Sequence, residues 1–154
     1  MMPAHGRASA GRDPDAALRR ILTGTTTIAL LGASANPARP SHQVLGYLIA
    51  AGYRVHPVNP GLAGQTLLGR TVHAGLADVP EPVEMVDVFR DSSHLPRILA
   101  EMLALDVRPK VLWTQLGVVD DTVAAQAEAA GIAVVMDRCP AIEIPRLGLA
   151  GRHR

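Results

Sequence analysis

Five short apolar runs recur along the chain, each bounded by glycine, proline or a polar cluster. The first is Thr26–Leu31 (TTIALL), which stops at Gly32. Tyr53–Val58 (YRVHPV), Glu84–Phe89 (EMVDVF), Lys110–Thr114 (KVLWT) and Ile132–Met136 (IAVVM) follow. Brief runs rich in β-branched residues predict buried strands. Helical periodicity fills the gaps. Ser41 precedes apolar positions at Val44, Leu45, Leu48 and Ile49 and the stretch closes at Gly52, which predicts a helix capped by Ser41. A second helix is predicted from His94 or Leu95 to Leu105, and a third, Ala-rich, over Asp120–Ala130 before Gly131. A short helix is expected at Pro14–Leu22, with Asp13 as its cap and Gly24 as its stop, and a closing turn of helix at Ala141–Leu147. Gln65–Pro82 reads as irregular, with one helical turn at Leu76–Val79.

Strand and helix alternate at intervals of roughly 25–30 residues, which means parallel βαβ units. Nearly continuous apolar strands fit a sheet covered on both faces. The expected fold is therefore α/β: a Rossmann-type, doubly wound, mainly parallel five-stranded sheet with helices on both faces. A length of 154 residues suits one domain. It is expected over residues 18–149, after an arm or the start of a docking helix at 1–17 and before a short basic tail at 150–154. Sheets of this kind bind ligands outside the carboxyl ends of their strands. That directs attention to Gly32–Ser41, Asn59–Gly64, Phe89–Ser93, Thr114–Gly117 and Asp137–Pro140.

Composition narrows the chemistry. Hydrophobic residues make up 48% and charged residues 19%, which excludes a disordered chain. Aromatics are only 3%, so the core is aliphatic and a stacking platform for single strands lacks its rings. A net charge of +1 gives no field to hold nucleic acid or an anionic membrane. The single cysteine, Cys139, excludes an internal disulfide framework and suits a reducing compartment. No run of about 18 apolar residues appears, and Met1–Asp15 lacks the apolar stretch of a secretion signal. A cytoplasmic location is expected.

The first strand-end loop is the richest. Gly32, Ala33, Ser34 and Ala35 let a ligand approach the backbone. The helix start at Ser41 carries a partial positive charge, and Arg39 can add a bidentate contact to the same anion. Yet the loop holds one glycine and does not spell GxGxxG. The second strand ends in Val58-Asn59-Pro60, without the carboxylate that would meet a NAD ribose. A NAD-dependent oxidoreductase is disfavoured. Gly32-Ala33-Ser34-Ala35-Asn36 misses the last glycine of a nucleophile elbow. Lys110 is the only lysine, so no Walker motif exists, and the six histidines include no i,i+4 pair to suggest a metal. Cys139 reads either as a small buried side chain or as a reactive thiol.

Several blocks in order resemble a known family. They are Gly32-Ala33-Ser34 with Asn36-Pro37 and Arg39-Pro40-Ser41; Gly52-Tyr53 with Pro57-Val58-Asn59-Pro60; Val86-Asp87-Val88-Phe89-Arg90; Trp113 with Gln115-Leu116-Gly117-Val118; and Asp137-Arg138-Cys139-Pro140-Ala141-Ile142-Glu143. Over roughly Leu18 to Leu149 the chain is similar to the small stand-alone CoA-binding proteins, themselves similar to the N-terminal domain of the succinyl-CoA synthetase α subunit. The resemblance implies that Gly32 to Ser41 meets the pyrophosphate of coenzyme A and that Asn59-Pro60 lines the adenine or ribose. It places Phe89-Arg90 and Thr114–Gly117 along the nucleotide and its pantetheine arm. The cofactor contacts it implies are Gly32, Ala33, Ser34, Asn36, Pro37, Arg39, Ser41, Asn59, Pro60, Phe89, Arg90, Thr114, Gln115, Gly117, Arg138 and Cys139, with no metal and no catalytic residue. Relatives often carry a lysine after the Asn-Pro turn. Gly61 and Leu62 stand there, leaving Arg39, Arg70 or Arg90 to meet the 3′-phosphate. The synthetase's phosphorylated histidine and ATP-binding partner lie outside such a domain. The expectation is therefore a CoA or acyl-CoA binding module acting as carrier, sensor or accessory. The alternative is an enzyme acting on a CoA thiol or thioester through Cys139. Homodimerisation is a further expectation without a located interface.

Overall fold

The computed structural model describes Arg7–Ala8 and residues 13–151. Most of the expected N-terminal arm and of the basic tail lies outside the described residues. In chain order the strands are β1 (Arg7–Ala8), β2 (Thr27–Leu31), β3 (Arg54–Val58), β4 (Thr66–Leu67), β5 (Arg70–Thr71), β6 (Met85–Val88), β7 (Val111–Thr114) and β8 (Ala133–Met136). The helices are α1 (Pro14–Gly24), α2 (Pro40–Ala50), α3 (Leu95–Ala104), α4 (Asp121–Ala129) and α5 (Pro140–Arg146).

Strands β3, β2, β6, β7 and β8 form the parallel sheet, in the order β8-β7-β6-β2-β3. β1 adds an antiparallel pair of residues beside β8. The fold is thus the Rossmann-like α/β sheet that the alternation predicts, with a short sixth strand at one edge.

Period-2 alternation sorts the strand side chains between two apolar layers. Ile28, Leu30, Met85, Val111, Trp113 and Val135 pack with Leu18 and Leu22 of α1, Val44, Leu45 and Leu48 of α2, and Ile144 of α5. Ala29, Leu31, Val86, Val88, Leu112, Val134 and Met136 face α3 and α4. Trp113 is fully buried, and its indole donates to the Arg138 carbonyl at 2.8 Å. Tyr53 does the same for α1, donating to Leu22 O at 2.6 Å, and burial pushes its phenol up to about 12. Among the described residues no helix is long and apolar enough to cross a membrane.

Two local expectations are corrected. Ser41 does not cap α2: the helix starts at Pro40, Arg39 is its N-cap residue, and no side chain makes a capping bond there. Pro40 can begin the helix because a missing N–H in the first turn costs nothing. The stretch from Gln65 is not wholly irregular, because β4 and β5 pair antiparallel across a turn at Leu68 and Gly69. Both turn residues have positive φ, 49° and 82°.

The chain leaves β2 through α2 to β3 on one side, and the next parallel strand, β6, lies on the other side of β2. The loops after β2 and β6 diverge at this reversal and open a crevice. Gly32 holds its lip. Its φ is +90°, and a Cβ there would stand 2.7 Å from the Phe89 carbonyl oxygen and 3.0 Å from Arg90 Cδ. Gly32→Ala should lower stability by roughly 2–4 kcal/mol, from left-handed backbone strain plus the clash with a neighbouring carbonyl. A urea midpoint equal to that of the wild type would contradict this.

β6 also carries an oddity. Asp87 is fully buried between Leu30 and Trp113 in register, and neither carboxyl oxygen has a hydrogen-bond partner. Burial holds its pKa well above the usual carboxylate range. The folded state therefore keeps a proton that the unfolded chain releases above about pH 4. Stability is greatest below that pH and falls as pH rises, by about 1.4 kcal/mol per unit, until the buried carboxyl ionises. Asp87→Asn should remove this contribution, so the stability difference between wild type and variant in urea unfolding should change as pH rises above about 4, in the direction of losing the wild type's advantage. Parallel pH profiles for the two proteins would refute it.

Candidate functional site

A cleft of about 1120 Å³ lies over the carboxyl ends of β2, β3, β6 and β7. Its wall on the α2 side is the small-residue turn Gly32–Asn36. That turn is tied by its own polar groups. Gly32 and Ala33 N–H donate to Val58 O at 3.1 and 3.3 Å. Asn36 N donates to Ser34 Oγ at 3.1 Å, and Ala38 N to Asn36 Oδ1 at 3.0 Å. His42 reaches back from α2 with Nδ1 2.9 Å from Ser34 O, so Nδ1 carries the proton. Asn59 braces the turn against β3: its Nδ2 donates to Ala33 O at 2.7 Å while its Oδ1 accepts from Gly61 N at 2.8 Å. These bonds hold the small residues open to the cleft, beside the uncapped first turn of α2. Pro40 has no N–H, and His42 and Gln43 donate to Arg39 O at 3.1 and 3.2 Å, so the helix start offers an anion the Ser41 N–H and a partial positive charge.

Two cations border this opening. Arg39 is exposed at the N-cap of α2, and Arg90 stands opposite, at the end of β6. Arg90 belongs to a larger basic group. Its Nη2 lies 3.3 Å from His94 Nε2, and Arg97 Nη2 lies 3.2 Å from His94 Nδ1. A neutral imidazole has one acceptor nitrogen, so only one of these contacts can be a hydrogen bond in a given tautomer. Arg97 Nε in turn lies 3.8 Å from the Glu101 carboxylate. Asp91, also on the cleft, accepts from Ser93 N at 3.0 Å, and the hydrogen bonds from Ser93 hold its carboxylate below the usual range. Arg90, Arg97, Gly32 and Pro60 line a side pocket of about 260 Å³.

Of the residues singled out in the sequence, Gly32, Ala33, Ser34, Asn36, Arg39, Ser41, Asn59, Pro60, Phe89, Arg90 and Gln115 line the cleft together. Pro37 and Gly117 lie in the adjoining loops, outside its lining. Thr114 is fully buried and spends its hydroxyl donating to Val118 O and accepting from Asp137 N. Arg138 is held away by an ion pair with the buried Glu143 at 3.2 Å. Glu143 also takes Arg146 at 2.7 Å, and Arg146 bridges to Asp15 of α1. Cys139 is buried at the start of α5 and lines a neighbouring cavity. Leu62 and Leu116, within strand-end loops to which the sequence pointed, also line the cleft, as does Val118, while His94 and Arg97 beside it were not proposed as contacts. The spacing of Arg90, His94 and Arg97, one and two helical turns apart, was the available signal for the basic group. Among the described residues no group of three His, Cys, Asp or Glu side chains could hold a metal ion.

Comparison with known proteins agrees with this geometry. The Bacillus subtilis protein YneT, itself uncharacterized, is 35% identical over 124 residues, covering 80% of this chain and 89% of that one. A solved structure from Thermus thermophilus is 44% identical, covers 86% of this chain and 98% of its own, and superposes with a TM-score of 0.77. A hypothetical protein from Pyrococcus horikoshii is 32% identical, covers 88% and 93% of the two chains, and has a TM-score of 0.75. The CoA binding domain family matches residues 26–145, which include every residue that lines the cleft. With an open cleft at the sheet reversal and this match over most of its length, the chain belongs to the CoA-binding domain family.

Proposed function

We propose that the protein binds coenzyme A, free or acylated, in this cleft and acts as a carrier, sensor or accessory module. The observation that carries the reading is the joint presence of an open small-residue turn, an uncapped α2 start and Arg39 around one cavity. A diphosphate set on the turn between Gly32 and Ser41 accepts from backbone N–H groups and pairs with Arg39. The adenosine then lies toward Asn59, Pro60 and Phe89. Asn59 acts as a positioning residue, since both ends of its carboxamide already hold backbone.

The 3′-phosphate goes to the basic group in the side pocket. Arg90 and Arg97 line that pocket with Glu101, whose carboxylate stands 3.8 Å from Arg97 Nε, and His94 touches both arginines; a dianion there meets Arg90 directly and competes with Glu101 for Arg97. This assigns to Arg90 and Arg97 the role that a lysine after the Asn-Pro turn has in many relatives. Arg70, named in the sequence, lies in the β4–β5 hairpin and borders neither pocket.

Calorimetric titration tests the reading in two ways. CoA should bind the wild type, and Arg39→Ala should weaken it by about ten- to hundredfold, the worth of charged hydrogen bonds. No heat with CoA, or full affinity in Arg39→Ala, would contradict the placement. Removing Arg97 should separate the two phosphate sites: Arg97→Ala should lose about tenfold in affinity for CoA and nothing for dephospho-CoA, as expected for one charged contact. Equal losses for both ligands would remove the 3′-phosphate from this pocket.

A further inference from the structure

A second cavity of about 550 Å³ opens between α2 and α5. Val44 and Tyr47 line it from α2, and Ala141 and Ile142 from α5, with Cys139 beside them. Its lining is mostly apolar. It shares Pro40, Gln115 and Leu116 with the nucleotide cleft, so the two spaces adjoin across the loop after β7. Leu116 is 53% exposed and Ile142 50%, two of only five large hydrophobic residues so exposed among the described residues. Gln115, at the junction, has a buried side-chain oxygen with no hydrogen-bond donor.

The geometry points to this cavity as the seat of the acyl group of a CoA thioester. The inference rests on CoA occupying the main cleft and goes beyond it by naming an acylated ligand and the side chains that read its length. Reach supports it. The cavity adjoins the start of α2 at Pro40 and extends to Cys139 after β8, three strand spacings from β2, so its far end lies about 14 Å across the sheet at ~4.8 Å per spacing. A pantetheine arm has about four residues' worth of backbone between phosphate and sulfur, which spans about 14 Å when extended. An arm starting at the Gly32–Ser41 turn therefore delivers its thioester near Gln115, where its amide N–H groups offer the donor that Gln115 lacks. The acyl chain then continues between Tyr47 and Ile142 and covers the exposed faces of Leu116 and Ile142. A second copy of the chain is the rival cover for those faces. The concavity of the space and its continuity with the cleft favour a chain threaded from the cleft.

Titration with CoA, acetyl-, butyryl- and hexanoyl-CoA tests the assignment. Affinity should rise by about fourfold per added methylene until the cavity is full. Ile142→Asp, a half-exposed position, should leave free CoA binding unchanged and flatten the series. Ala141→Phe, which fills the cavity, should flatten it as well. If CoA binds the wild type but the series is flat, the acyl seat falls and the CoA site stands. If no compound binds, both readings fall. If Ile142→Asp leaves the series intact and instead dissolves a dimer in sedimentation, the patch belongs to a second copy and the proposal is wrong.

Discussion

The close approach of the β2 and β6 ends governs this molecule. At Gly32 the backbone turns with positive φ within van der Waals reach of the Phe89 carbonyl, so no side chain fits. That approach brings the turn after β2, the start of α2 and the loop carrying Arg90 around one opening. A larger residue would push the loops apart and distort the polar-lined cleft. Sheet order alone places a crevice at this point; the missing Cβ decides that it is narrow enough for backbone N–H groups to meet a ligand.

The polar groups around the cleft divide into those that hold the scaffold and those left for a ligand. Ser34, Asn36, His42 and Asn59 are engaged by hydrogen bonds to loop backbone. Arg138 and Arg146 are committed to Glu143 on α5, joining that helix to α1 through Asp15. Among the described residues Arg39 and Arg90 make no ion pair, whereas Arg97 pairs with Glu101 at 3.8 Å. Cationic groups that the fold has not neutralised are what a polyanion requires, and their two locations match two separate phosphate groups. The apolar cavity beyond Gln115 extends the same logic from charge to hydrophobic burial.

Much of the fold was legible because the parallel strands are short, mostly apolar runs with clear boundaries and the helices carry clear stops. Thr27–Leu31, Arg54–Val58, Met85–Val88 and Val111–Thr114 all fall inside the predicted runs, and the carboxyl ends of these strands brought eleven of the sixteen proposed contacts to one cleft. What escaped has physical reasons. β4 and β5 are two residues each, too short for alternation to register, and their turn depends on Leu68 adopting a positive φ that its side chain disfavours. Arg138 looked like a ligand residue by its place after β8, but a buried Glu143 one turn into α5 claims it. Thr114 sits at a strand end yet turns inward to cap the following loop. Arg97 escaped because Arg90 lies in the loop before α3 and not on the helix, so the two arginines are linked through the His94 ring and not by helical spacing alone. The buried, unsatisfied Asp87 could not be told from a surface carboxylate, since the strand reads as apolar on either side.

The most direct test of the account is a map of where coenzyme A touches the protein, obtained by titrating isotope-labelled protein and following its backbone amides by NMR. The account predicts saturable shifts concentrated at Gly32, Ala33, Ser34, Ser41, Phe89 and Gln115, with the surface of α4 unmoved. Absence of saturable shifts, or shifts centred away from the β2–β6 reversal, would contradict it.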